Sequence, residues 1–431
     1  MKIHIKNGRL VDPKNRIDSK QDVFIAAGKI VAIGAMPDGF HANRVIDASN
    51  LIVCPGLIDL SARLREPGFE YKATLESEMA AAVAGGVTSL VCPPDTDPPL
   101  DEPGLVEMLK YRAKNLNQSH VYPLGALTMG LKGERLTEMA QLSDAGCIGF
   151  SHADHPLIDT LVLSRALNYA ATYGYTVWLR PQDAFLSKDA VAHDGMVATR
   201  LGLPGIPVEA ETIALTTIIE LARTSGARIH LCRLSSAGGV ELVRQAKASG
   251  LAITCDVGVH HLHLSEIDIG YFDSNCNLMP PLRSTRDRDA LRAGACDGAI
   301  DAICSDHAPV DDDAKQLPFA ESEAGATGLE LLLPLTLKWA MAEKLDLTRA
   351  LAKITSEAAR ILGGLGPLGL EAGHVAVGQR ADVCIFDADE SWQVDRTTLK
   401  SLGKNTPFIG MDMIGKVHYT LVEGHVVYPH P

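Results

Sequence analysis

Eight short apolar runs, each followed by a longer stretch of helical periodicity, limit what this chain can fold into. They occupy residues 56–60, 87–92, 121–126, 147–151, 176–180, 228–234, 252–258 and 302–306. An apolar run of four to eight residues without polar alternation reads as a strand covered on both faces. Between these runs, stretches such as 209–222 and 238–248 place apolar residues at helical spacing. Strands that alternate with helices build a parallel sheet, and eight such units close into a (β/α)8, TIM-like barrel of the α/β class.

The two ends read differently. Residues 2–5, 23–26 and 30–33 are short strands, with Ala27-Gly28-Lys29 as a turn. The C-terminal stretch repeats the pattern at 381–387, 417–422 and 426–428, divided by Glu423-Gly424-His425. Residues 1–54 and 370–431 are therefore expected to form one β-rich unit beside a barrel of residues 55–369.

A chain of 431 residues, 46% hydrophobic and 22% charged, is long enough for a barrel and a smaller companion domain. Its formal charge of −13 argues against nucleic acid or an anionic membrane as partner, since both need clustered positive charge. No apolar run approaches the roughly 18 residues of a membrane span, and the first residues lack the apolar core of a secretory signal. The nine cysteines are scattered, with no Cys-x-x-Cys pair, which fits reduced core thiols. These features together place the chain in the cytoplasm.

In a parallel barrel the functional groups gather at the C-terminal ends of the strands. That rule brings Arg63, Arg65, Arg180 and Arg233 to one mouth, opposite Asp306 and beside His260, His261 and His307. Metal-assisted hydrolysis at such a mouth needs imidazoles and carboxylates that donate lone pairs. Guanidinium has none to offer, and the hydroxyl of Ser61 is a weak ligand. A divalent ion about 4 Å from one unit charge at an effective dielectric of ~20 would meet repulsion on the order of 8 kcal/mol. Positive charge standing in place of cations and pairing with Asp306 is the structural reading of these arginines; an anion site centred on Arg65 is the functional one. Ser61, Ser235 and Ser236 lack the context of an activated nucleophile.

Three further stretches are expected to be structural. Ser151-His-Ala-Asp-His155 reads as a surface loop. His260-His261-Leu262-His263, if it continues the seventh strand, sends His261 and His263 to one side and His260 to the other. The acidic residues at 311–313 and the pair Glu321 and Glu323 read as a solvated loop.

The segment Asp59-Leu-Ser-Ala-Arg-Leu-Arg65 resembles the first barrel strand of dihydroorotases of the amidohydrolase superfamily, an aspartate-x-histidine-x-histidine-leucine-arginine run with two zinc ligands. Further stretches extend the resemblance over nearly the whole chain: Gly195 to Pro207 followed by Glu209-Ala-Glu211, Met279-Pro-Pro-Leu-Arg283, Ser305-Asp-His-Ala-Pro309, Gly328-Leu-Glu330 and Asn405-Thr-Pro-Phe408. It implies a metal-dependent-hydrolase barrel carrying a β-sandwich built from both ends.

The departures fall on the residues of the chemistry. Ser61, Arg63, Arg180 and Arg233 stand where the family has metal-binding histidines, so the resemblance makes them, with Asp306, vestigial metal positions. The bridging carboxylate's segment becomes Ser151-His-Ala-Asp154 and is read as lacking it. Arg65, Asp95, Met279 and His307 fall at substrate-side positions. A zinc site normally needs three protein ligands plus water, which Asp306 alone cannot supply, so no metal cofactor is expected. The pattern resembles the non-catalytic dihydroorotase-like subunits that accompany aspartate carbamoyltransferase in some bacteria. It implies a structural role in that hetero-oligomer and in pyrimidine biosynthesis. Two other readings stay open: a divergent cyclic amidohydrolase of dihydroorotase, hydantoinase or allantoinase type, and a small-anion-binding regulatory protein.

Overall fold

The computed structural model describes residues 1–363 and 372–429. All eight expected barrel strands are present: Leu57–Asp59, Val87–Cys92, His120–Pro123 continued by Gly125–Ala126, Phe150–Ser151, Thr176–Leu179, Arg228–Leu231, Ile253–Gly258 and Ala302–Cys304. Neighbours pair in parallel around the ring. The first and eighth strands close it through the Ala62–His307 bridge, where Arg63 N donates to His307 O at 2.9 Å and His307 N to Ser61 O at 3.0 Å.

Local chemistry sets the boundaries. Helix Thr160–Tyr173 begins at Asp159, whose carboxylate accepts from the N–H groups of Leu161 and Val162, and ends at Gly174 in the left-handed region. The expected helices at 209–222 and 238–248 are Glu209–Ser225 and Ala237–Ala248, the second capped by Ser236. Inside the barrel, Ile58, Leu60, Val91, Leu124, Ile148, Trp178, Ala302 and Cys304 form a buried layer, which closes the bore below the mouth. The nine cysteines are free thiols, seven of them buried.

Both ends of the chain enter one six-stranded sheet. Its order is His425–Tyr428, Asp412–Val422, Val383–Gln393, Ile52–Pro55, Arg9–Asp12 and Ile17–Lys20. A four-stranded sheet of Lys29–Ile33, Val23–Ala26, Lys2–Lys6 and Arg44–Asp47 belongs to the N-terminal part alone. A shared core of Ile3, Ile5, Val23, Ile25, Val53, Val383, Ile385 and Leu421 joins the two sheets into a sandwich. The expected domain boundary near residue 370 lies outside the described residues.

Candidate active site

The mouth of the barrel is built by residues that directly follow strand ends, and several hold backbone angles that side chains seldom adopt. Arg65, Ala153, Arg233 and Asp306 have φ of 62°, 49°, 56° and 47°. Left-handed backbone at a residue with a Cβ costs on the order of 1–2 kcal/mol. The hydrogen bonds around these residues hold them there. Asp59, beneath the mouth, accepts from Ser305 Oγ at 2.5 Å and from Ser305 N at 2.8 Å, which fixes the turn that presents Asp306. Burial pushes the Asp59 carboxyl up to about 6 against those hydrogen bonds. Asp256 accepts from Arg233 N at 2.6 Å and from His230 Nε2 at 3.0 Å, anchoring the turn after the sixth strand.

Three guanidiniums converge on one carboxylate. Arg63 Nη2 donates to Asp154 Oδ2 at 2.6 Å, Arg180 Nε to Asp154 Oδ1 at 2.5 Å, and Arg233 Nη2 also to Asp154 Oδ1. Arg63 Nε reaches Asp95 Oδ2 at 2.8 Å, and Arg233 Nη1 reaches Asp306 Oδ1 at 2.9 Å. Arg180 Nη1 bonds Gln182, and Arg180 Nη2 donates to the Asp154 carbonyl at 2.9 Å. Arg63, Arg180 and Arg233 face Asp95, Asp154 and Asp306, so the formal charge of the cage cancels. The three arginine side chains are 7%, 3% and 4% exposed, whereas Asp154 keeps 30% toward the mouth.

The electrostatics follow from that geometry. Burial raises the Asp154 carboxyl, but Arg233, Arg63 and Arg180 outweigh it and hold the group well below the usual carboxylate range. Asp306 is more deeply placed. There burial prevails over Arg233 and Arg63, and its carboxyl is raised. Arg180 is lowered by burial despite Asp154.

The sequence-derived residues divide into three groups. Arg63, Arg180, Arg233, Asp306 and Asp95 form the cage, and Met279 joins it through its carbonyl, which accepts from Arg233 Nη1 at 3.3 Å. Ser61 and Arg65 lie beside it. Arg65 donates from Nε to Pro309 O at 2.8 Å, and its Nη2 lies 3.9 Å from Glu323 Oε1. His307, expected on the substrate side, is turned away and fully buried. Its Nδ1 accepts from Gly328 N at 3.1 Å, which leaves the Nε2 proton to donate to Glu78 at 2.5 Å.

Sequence reasoning missed Asp154, whose segment it read as a surface loop lacking the bridging carboxylate. The turn at Ala153 carries the chain inward instead, and Ser151 Oγ accepts from Ala153 N at 3.0 Å. His152, 2% exposed, is held between Thr128 Oγ1 and the His155 carbonyl. Charge counting would have found Asp154: three buried arginines need more than Asp306, and residues 95 and 154 both follow strand ends.

The seventh strand does not continue into the histidines. Val259–Leu262 is a 3-10 turn, and His260, His261 and His263 each donate from Nε2 to a backbone carbonyl, of Thr327, Pro280 and Leu335. The acidic loop is not merely solvated, since Lys72 Nζ meets Glu323 Oε1 at 2.5 Å and Asp311 caps helix Asp312–Gln316.

The donor set does not suit zinc. At the ligand positions stand one hydroxyl and three guanidiniums without lone pairs, and both nearby carboxylates, Asp154 and Asp306, already accept from those guanidiniums.

Residues 50–238 match the family described as Dihydro-orotase-like, and residues 329–428 match the one described as Amidohydrolase family. A "Dihydroorotase-like protein" of Pseudomonas aeruginosa is 45% identical over 434 residues, covering 99% of this chain and 100% of that protein. A "Dihydroorotase" of Geobacter sp. is 41% identical, covering 99% of both. The structure of an L-hydantoinase (dihydropyrimidinase) from Arthrobacter aurescens superposes with a TM-score of 0.87 at 24% identity, over 99% of this chain and 95% of that one. At that identity the likeness speaks to the fold alone.

Proposed function

Since this chain belongs to the dihydroorotase-like family of amidohydrolases, we propose that it is a non-catalytic member, a structural subunit of the aspartate carbamoyltransferase assembly in pyrimidine biosynthesis. The guanidinium cage carries the first half of this reading. Asp95, Asp154 and Asp306, the carboxylates at the mouth that could have offered charge to a cation, offer it to arginines instead. An activated water needs a Lewis acid or a free general base beside it. The carboxylates of the cage are committed to guanidiniums, and His307 is committed to Glu78. The barrel, its turns and the sandwich stay intact around this altered mouth, as expected of a chain kept for its surface.

Size-exclusion chromatography with light scattering tests the second half, with this chain alone and mixed with its own organism's aspartate carbamoyltransferase. The expected result is a large hetero-oligomer with equal numbers of both chains, and a transferase that loses activity or stability without this subunit. Separate elution at micromolar concentration, with the transferase fully active alone, would overturn the reading. The relative named dihydroorotase at 41% identity supports a second reading, a divergent cyclic amidohydrolase. Turnover of dihydroorotate, a hydantoin or allantoin by the zinc-supplemented chain would put that reading first.

A further inference from the structure

The six-stranded sheet ends in two unlike edges. Its far edge, Ile17–Lys20, is guarded by charge: Asp18 and Lys20 are exposed, and Asp18 pairs with Arg9 at 2.6 Å. Charged side chains on an edge strand discourage pairing with another chain. The near edge, His425–Tyr428, reads His-Val-Val-Tyr and carries no carboxylate, lysine or arginine. It pairs only with Asp412–Val422, and its outer N–H and C=O groups have no hydrogen-bond partner among the described residues.

This open edge faces a groove rather than bulk solvent. A cavity of about 1030 Å³ lies between it and the C-terminal half of helix Pro103–Leu116. The helix contributes Lys110, Lys114 and the 70% exposed Tyr111; the sheet side contributes Arg380 and His425. Among the described residues Glu423 is the only carboxylate lining the groove. Asp382, beneath it, is taken up by Arg380 and His120, each at 3.2 Å. Lys110 Nζ donates to the Ala145 carbonyl at 3.2 Å, and neither Lys110 nor Lys114 has an acidic partner among the described residues. In a chain of formal charge −13 the groove therefore reverses the prevailing sign, and an acidic segment repelled elsewhere is attracted here.

We propose that this groove binds an extended acidic segment of another protein, which adds to His425–Tyr428 as a further strand and sets alternate carboxylates against Lys110 and Lys114. Main-chain hydrogen bonds to the open edge supply affinity, and the side chains on one face of the added strand supply selection by charge. The inference is independent of the transferase reading.

A fluorescein-labelled peptide alternating valine and glutamate is the probe, with a valine–lysine counterpart, both titrated against the intact chain by anisotropy. The glutamate peptide is expected to bind at least tenfold more tightly, to weaken between 50 and 300 mM salt, and to slow hydrogen exchange at residues 425–428. Lys110→Glu with Lys114→Glu should weaken it at least tenfold and strengthen the lysine peptide; Lys114→Glu alone, on an exposed side chain, should shift both in the same directions. Equal binding of the two peptides, no binding, indifference to charge reversal, or protection confined to other strands would each overturn the proposal. Complete displacement by inorganic triphosphate without protection at 425–428 would mark a simple anion site and overturn strand addition.

Discussion

Asp154 accepts hydrogen bonds from three guanidiniums, so removing its charge leaves the cage with one uncompensated buried cation. Breaking a buried ion pair by deleting one partner costs about 3–5 kcal/mol. The 30% exposure of the Asp154 side chain places the expected loss near the lower end. Asp154→Asn should thus destabilise the fold by about 3 kcal/mol in urea unfolding. Asp95→Asn should cost less, because Asp95 meets a single guanidinium. A change below about 1 kcal/mol for Asp154→Asn would mean that Asp306 and Asp95 neutralise the cage alone. Arg63, Arg180, Arg233 and Asp306 were legible in the sequence because each stands at, or within three residues of, the end of an apolar run. Asp154 and the turned ring of His307 were not, because both depend on long-range partners: guanidiniums from three other strand ends, and Glu78 on a distant helix.

The 3-10 turn Val259–Leu262 concentrates buried imidazoles in one element, and this gives the fold a pH dependence. Burial lowers His260 to about 4, His261 to about 4 and the adjoining His263 to about 3. The folded chain keeps these rings neutral, whereas the unfolded chain protonates them below about 6.5. Their contribution is complete above that pH and is lost as pH falls toward 4. Each ring therefore works against the folded state as pH falls. Asp59 works the other way, since its raised carboxyl, about 6, takes up a proton in the folded state and adds stability as pH falls from 6 to 4. Burial also raises Glu330 to about 7 and Asp306 above its usual range, and it lowers His152 and His193, so five lowered imidazoles stand against three raised carboxyls and leave a net loss. The urea midpoint should fall between pH 7 and pH 5, and His263→Gln should flatten that fall; a midpoint constant or rising over this range would contradict the assignment of neutral rings. The apolar run at 252–258 announced the strand, but the turn after it was hidden because the backbone carbonyls that hold its rings come from remote segments, two loops and helix Leu332–Ala342.

At the scale of the molecule, the cage braces the top of the barrel. Arg63, Asp95, Asp154, Arg180, Arg233 and Asp306 follow the first, second, fourth, fifth, sixth and eighth strands, so their ion pairs link six of the eight strand ends across the mouth. The sandwich plays a matching part at the chain ends, where Val383–Gln393 lies against Ile52–Pro55 and ties the C-terminal part to the strand that leads into the barrel. A cation held among ligands braces a mouth only while bound, and its contribution grows as RT ln(1 + [L]/Kd), about 4 kcal/mol at a thousandfold excess over Kd. Guanidiniums belong to the chain, so their bracing does not depend on metal concentration. The thermal midpoint should therefore be the same in EDTA, in metal-free buffer and with excess zinc, and the purified chain should contain well under one equivalent of zinc. A drop of several degrees in EDTA that zinc reverses, together with stoichiometric metal lost on Asp306→Ala, would show that the mouth rearranges to hold a cation and that the arginines are not its permanent occupants.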